Sequence, residues 1–248
     1  MDNCSCQNCH CGSKSAVASL IIGGALIIAA AIGAGTFYRV KALDNTLSVT
    51  GSAKQAVTSD SVKWVSSFSR TVGINDLKTG YTQMAADQKI VNNFLLESGV
   101  KAEEIVISPV FLQQNYRYDQ NAPKEYILQQ NVEVKSLEVQ KITALTKNIQ
   151  KLIDQGLVFS TQSLEYYYSQ LPALRVSLLS AAIQDAKARA AKIAESSSSK
   201  VGAIKSASIG VVQVLPVNSV DISDYGTYDT SSIDKEVMIT VRATFGIR

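Results

Sequence analysis

The sequence predicts an α+β fold behind one transmembrane helix, and three observations carry that reading. Residues 16–38 contain no charged side chain. Several later runs alternate apolar and polar residues, most regularly Val237, Ile239, Val241, Ala243 and Phe245 against Met238, Thr240, Arg242 and Thr244. Two long stretches between such runs repeat apolar residues at helical spacing instead, one with Leu77, Tyr81, Met84, Val91 and Leu95, the other with Leu174, Leu178 and an alanine series. Strands and helices in one chain, without strict βαβ alternation, point to α+β.

The apolar run AVASLIIGGALIIAAAIGAGTFY reaches about 34 Å as a helix, enough to cross a bilayer core. Phe37 and Tyr38, followed by Arg39 and Lys41, give it an interfacial end, where aromatic rings and snorkelling cations are stable. A cleaved signal peptide is the competing reading, with Gly33-Ala34-Gly35 as its small-residue site. The run is long for that, and a cysteine-bearing head replaces the usual short basic stretch. Lys14 on one flank against Arg39 and Lys41 on the other favours, by the positive-inside rule, a cytoplasmic domain. Ala25, Ala29 and Gly33 form a small-residue stripe that lets helices approach closely, although any Ala/Gly-rich span holds such spacings.

Residues 1–15 form a cysteine-rich head. Cys4, Cys6, Cys9 and Cys11, in the form C-x-C-x2-C-x-C, are all the cysteines of the chain, and His10 is its one histidine. Thiolates so closely spaced converge on a soft ion, so the head is a candidate Zn²⁺ or Cu⁺ ligand set. Acylation of membrane-proximal cysteines, redox disulfides and no bound group at all are the alternatives. Everything after Gly12 lacks both Cys and His, which excludes a Ser-His-Asp triad, a cysteine nucleophile and an ordinary zinc site from the domain. With 24 Lys+Arg against 21 Asp+Glu, the whole chain has no field strong enough to gather nucleic acid, and none is expected as a partner.

Beyond the anchor, Leu47, Val49, Gly51 and Ala53 alternate with polar residues, and 62–73 follows as a second strand with Trp64, Phe68 and Val72 on one face, interrupted by Ser66 and Arg70. A helix starts near Asn75-Asp76 and stops at Gly99. Residues 104–118 and 124–136 read as a hairpin around a polar turn that contains Pro123. After Ser136, the residues Ile142, Leu145, Ile149 and Leu152 mark a helix face that ends at Gly156. Residues 157–168 return as a strand. Pro172 sits in the first turn of a long helix over 171–199, with Ala181, Ala182, Ala186, Ala190 and Ala194 beside Leu174, Leu178 and Ile193. A strand over 203–215, a Ser/Asp/Tyr-rich loop over 216–233 and the closing strand complete the order β-β-α-β-β-α-β-α-β-β.

That order resembles the SIMPL-domain family, on several stretches: Leu-Ser-Val-Thr-Gly from position 47, Glu-Ser-Gly-Val-Lys from 97 with Glu104-Ile105, Tyr126-Ile127 leading to Val132-Glu133-Val134, the Ala-Lys-Ala-Arg-Ala helix, and Val-Met-Ile-Thr-Val-Arg-Ala-Thr-Phe from 237. Ser59-Asp60 stands where members usually carry Pro-Asp, and Ser196 to Ser199 replaces a more apolar helix end; both are turn and helix-end changes that leave the fold unaffected. The resemblance implies a two-lobed α+β domain over 45–248, divided here near 45–120 and 124–248, usually outside the cytoplasmic membrane of bacteria. Some members form large homo-oligomeric rings, and no catalytic residue carries over. Family location outweighs the flanking charges, so the domain is expected to be extracytoplasmic, periplasmic or on the cell surface.

The expected function is therefore a single-pass, self-associating structural or interaction protein of the cell envelope, not an enzyme, with membrane lipid, further copies of itself and other envelope proteins as partners. The alternative is a glycan- or peptide-binding domain using Tyr116, Tyr118, Tyr166, Tyr167, Tyr168, Tyr225 and Tyr228, of which at least one in the consecutive triple faces the core. Asp60, Glu133 and Glu165 are candidate hydrolytic carboxylates, but no spacing pairs them. The closing strand lacks proline and is expected to lie at a sheet edge that recruits a second copy.

Overall fold

In the computed structural model, residues 12–42, 45–116, 123–219 and 223–248 are described, with backbone alone at 12–18 and 42. Helix α1 (Gly12–Ala42) contains the span Ser19–Lys41, whose apolar residues are not buried. It is the one helix among the described residues long and apolar enough to span a membrane.

The rest is mixed α+β, in two sheets. The first has strand order β3-β5-β2-β6, with β4 also on β5. Here β2 is Ser61–Gly73, β3 Ile105–Ile107, β4 Phe111–Asn115, β5 Glu125–Ser136 and β6 Val158–Tyr167. All pairs are antiparallel, and the β2–β5 register runs unbroken from Val62↔Ser136 to Gly73↔Glu125. The expected 104–118 strand is two strands, because Pro109 has no N–H to give the ladder and Ser108 instead bonds Asn131 through both its N–H and its hydroxyl. The β2–β6 register slips between Val65 and Ser66, leaving Gln162 as the extra residue of a bulge.

Helices α2 (Leu77–Glu97), α3 (Val139–Thr146) and α4 (Gln150–Asp154) pack on one face of this sheet. Gly99, at φ +81°, ends α2, and its carbonyl accepts a bond from Lys141 Nζ at 2.6 Å. The single expected helix after Ser136 is thus two short ones. The core between the layers holds Trp64, Phe68, Met84, Val91, Leu128, Val132 and Ile142, none more than 1% exposed. Trp64 meets Phe159 edge-on at 6.0 Å, and its indole N–H donates to Thr161 Oγ1 at 3.2 Å. Arg70, which interrupts the core face of β2, is neutralised by buried Asp87 of α2: Nη2 donates to Oδ1 at 2.8 Å and Nε to Oδ2. That pairing holds the guanidinium pKa above its ordinary value, against burial.

The second sheet runs β1-β10-β8-β9, with β7 also paired to β10. Its strands are β1 (Thr46–Thr58), β7 (Val201–Ile209), β8 (Gln213–Pro216), β9 (Thr227–Tyr228) and β10 (Asp234–Ile247). The expected 203–215 strand divides at Gly210, where a Cβ would collide with Thr240 Oγ1 while Gly210 N–H donates to the Thr240 carbonyl. The closing strand is not an edge: β10 has β1, β8 and β7 as ladder partners, and Val237, Ile239, Val241, Ala243 and Phe245 are all buried. Helix α5 (Leu171–Ser196) contributes Ala182, Ala186, Ala190 and Ala194, spaced four apart and at most 2% exposed, whereas Ala181 and Ile193 face solvent.

By contacts the chain divides into two compact units, one of Met1–Thr50, Ala186–Ser208 and Arg242–Arg248, the other of Gly51–Asp185 and Ile209–Val241. The first has Val49, Ala186, Ala190, Ala243 and Phe245 as its core. The second holds the Trp64 core and a further cluster with Leu171, Leu174, Leu178, Val214, Val237, Ile239 and Val241. These interleaved units differ from a division at 45–120 and 124–248, because β2 and β5, from either side of it, are neighbours in one sheet.

Candidate functional site

The helices cover one face of the first sheet, and strand alternation sends the odd-numbered residues of β2, β5 and the end of β6 to the other. This open face carries a charged row. Lys63 of β2 lies between two carboxylates, its Nζ 3.7 Å from Glu133 on β5 and 3.7 Å from Glu165 on β6. Lys135 Nζ contacts the other Glu133 oxygen at 2.6 Å. Glu165 accepts from Tyr167 OH at 2.5 Å and from Ser163 Oγ at 2.9 Å. The Tyr167 ring lies 6.0 Å from Tyr228, tilted 35°, and the Tyr228 hydroxyl accepts from Tyr168 N–H at 3.1 Å.

The hydrogen bond from Tyr167, with that from Ser163, lowers the Glu165 pKa, and the Lys135 contact lowers that of Glu133. Tyr167, donating to an anion, is pushed up to about 12. Both carboxylates shift in the same direction, each held ionised by its own donors. The row sets two carboxylates and two ammonium groups beside an aromatic pair.

The sheet register thus brings together Glu133 and Glu165, which sequence spacing had left unpaired. Asp60 is used elsewhere: it accepts from Ser169 N–H at 2.8 Å and Ser169 Oγ at 2.7 Å. Of the tyrosines, Tyr166 is the core member of its triple, 6% exposed with its hydroxyl 3.0 Å from Thr143 Oγ1. Tyr116 and Tyr225 are exposed. Tyr118 and the candidate metal ligands Cys4, Cys6, Cys9 and Cys11 lie outside the described residues. Among the described residues, no three His, Cys, Asp or Glu side chains cluster as a metal would require.

One charged pair was not anticipated. Lys235 on β10 is fully buried, and its Nζ donates to the Asp229 carbonyl at 2.6 Å and to Asp229 Oδ2 at 3.2 Å. Asp229 also accepts from the N–H and hydroxyl of both Ser231 and Ser232. Burial alone would raise the Asp229 pKa, but these bonds outweigh it and lower it; Lys235 is lowered by burial, partly offset by Asp229. The signal was in the strand period, since Lys235 shares the inward parity of Val237 and Ile239. The same loop bonds Tyr166 N–H through the Thr230 carbonyl and Ser59 N–H through that of Ile233, so the ion pair fixes a tie between strands.

An apolar N-terminal helix ahead of a two-sheet α+β domain, whose polar clusters are ion pairs and hydrogen-bonded turns, defines the class. The profile of the SIMPL family, described as a protein of unknown function (DUF541), matches residues 47–245, and the chain belongs to that family. No curated protein matches the sequence.

Proposed function

We propose that the protein is a non-enzymatic component of the bacterial cell envelope, held by α1, with its domain on the extracytoplasmic side, where it self-associates and binds other surface proteins. The observation that carries this reading is β7. Among the described residues it pairs only with β10, residues 203–209 are exposed, and its apolar residues include Ile204 at 46% and Ile209 at 57% exposure. Lys205 is its one charged residue and it has no proline, so the edge carries few of the devices that stop strands from pairing with another chain. A second copy adding a strand there closes the edge and covers both isoleucines.

Light scattering of the full-length protein in detergent tests the proposal. The expected particle contains several chains, and Ile204→Glu/Ile209→Glu reduces it to fewer copies without lowering the melting temperature, since both residues are already exposed. A monomer across the micromolar range refutes it. The Tyr167–Tyr228 pair beside Glu165 supports a second reading, in which this face stacks a glycan or an extended peptide. In that case Tyr228→Ala abolishes ligand retention and leaves the particle mass unchanged.

A further inference from the structure

Charge is divided unevenly between the two compact units. In the unit that includes α1, the segments 45–50, 186–208 and 242–248 hold seven basic side chains against one acidic, Glu195. Three of the basic residues are on α5 (Lys187, Arg189, Lys192), two at or within β7 (Lys200, Lys205) and two on β10 or at its end (Arg242, Arg248), and all seven are exposed. The other unit, 51–185 with 209–241, has fourteen basic residues against eighteen acidic by sequence. The side-chain charges are therefore +6 and −4, inside a chain whose total is only +3. A merely solvated surface mixes both signs and needs no such separation.

Chain length keeps part of this basic unit close to the end of α1. Helix α1 ends at Ala42 with Arg39 and Lys41 in its last turn, and Asn45 accepts a backbone bond from Ile247 N–H at 3.1 Å. Arg248 and Lys200 bond each other through both backbone N–H groups, at 2.7 and 3.0 Å, which places Lys200 beside the same point. Three residues reach at most about 11 Å, and the headgroup layer on each side of a bilayer is itself about 5–8 Å deep. With α1 spanning, Lys200 and Arg248 are tied by backbone bonds to the chain three residues beyond its end. Lys187, Lys200, Ser198 and Ser199 line one shallow cleft, with Glu195, and Arg189, Lys192 and Thr50 line another. Cations beside hydroxyl donors suit a phosphodiester. These residues lie too far along the chain from the span to influence its insertion, so their charge does not set orientation.

We propose that this unit docks on the anionic phospholipid headgroups of the leaflet from which α1 emerges, independently of any self-association. The test uses the full chain in nanodiscs of phosphatidylcholine alone or with about 30% phosphatidylglycerol, and follows acetylation of individual lysines by mass spectrometry. In the anionic discs, Lys187, Lys192, Lys200 and Lys205 should react about fivefold more slowly than in neutral discs, the factor that attraction of one basic side chain to an anionic surface carries. Lys78 and Lys151 of the other unit should be unchanged, and about 0.5 M salt should abolish the difference. Equal rates in the two discs, slowing that survives salt, or equal slowing at Lys78 and Lys151 overturns the proposal. Stronger slowing by soluble polyphosphate in neutral discs, at matched phosphate, assigns the site to an anionic polymer and overturns it as well.

Discussion

Asp229→Ala tests the buried pair directly. Lys235 is 0% exposed, and removing its carboxylate leaves a buried ammonium whose acceptor among the described residues is the Asp229 carbonyl, at 2.6 Å. Breaking a buried ion pair from one side costs about 3–5 kcal/mol. Loss of the Lys235 proton sets a ceiling, because neutralising a lysine of ordinary pKa near 10.4 costs about 4.6 kcal/mol at pH 7 and about 1.9 kcal/mol at pH 9. The expected loss is therefore about 3–4.5 kcal/mol at pH 7, falling below about 2 kcal/mol at pH 9. The assay is urea unfolding followed by Trp64, the only tryptophan, buried in the same compact unit as the pair. At a slope of about 2 kcal/mol/M the midpoint at pH 7 drops by roughly 1.5–2.2 M. The double variant Asp229→Ala/Lys235→Met should recover most of this, since no charge remains to be stranded. A loss under about 1 kcal/mol at pH 7, or a loss that does not shrink by pH 9, refutes the claim that Lys235 is held charged by Asp229.

Two further outcomes follow from named contacts. Glu165 and Glu133 are lowered from 4.5, so their contribution to stability is present above that value and is lost as pH falls through their folded-state pKa; Tyr167, raised from 10.0 to about 12, contributes below pH 10 and loses it between 10 and 12. Tyr167→Phe, compared with the parent chain by Trp64-detected urea unfolding across pH, should reduce the acid-side loss and remove part of the alkaline loss; superimposable pH profiles would count against the hydrogen bond. A Cβ at Gly80 of α2 would lie 2.7 Å from Leu128 Cδ1 and 3.0 Å from Val72 Cγ1, so Gly80→Ala sets overpacking of about 1–3 kcal/mol against a helix-propensity gain of about 1 kcal/mol. Net destabilisation is expected in the same assay, and net stabilisation would show that the α2–sheet gap has room.

The elements with a long, unbroken period were legible in the sequence. Residues 237–245 show strand alternation over nine positions, and Ala182 to Ala194 repeat every four, because burial of one face leaves a regular trace. Breaks inside elements were less legible. Pro109 and Gly210 were visible, but whether each ends a strand depends on a partner across the ladder, Asn131 in one case and Thr240 in the other. Neighbour relations were the least accessible. The closing strand reads as an edge from its composition alone, yet three strands flank it, because edge status is a property of topology and not of the strand.

The same distinction explains the site. Glu133, Glu165 and Lys63 lie 32 to 102 positions apart and meet only because β5 and β6 flank β2 in register, so no local motif announces them. Lys235 could have been found, since an inward-facing lysine needs a buried anion and the Asp-x-Ser-Ser turn at 229 supplies one with four hydrogen-bond donors. The basic unit could not. Its charges come from segments near 187–205 and 242–248, in a chain whose overall charge of +3 carries no sign of them. Only folding gathers them into the compact unit that contains α1. A net charge averaged over a whole chain is thus a poor guide to its surface, because opposite charges held in separate compact units cancel in the sum without cancelling in space.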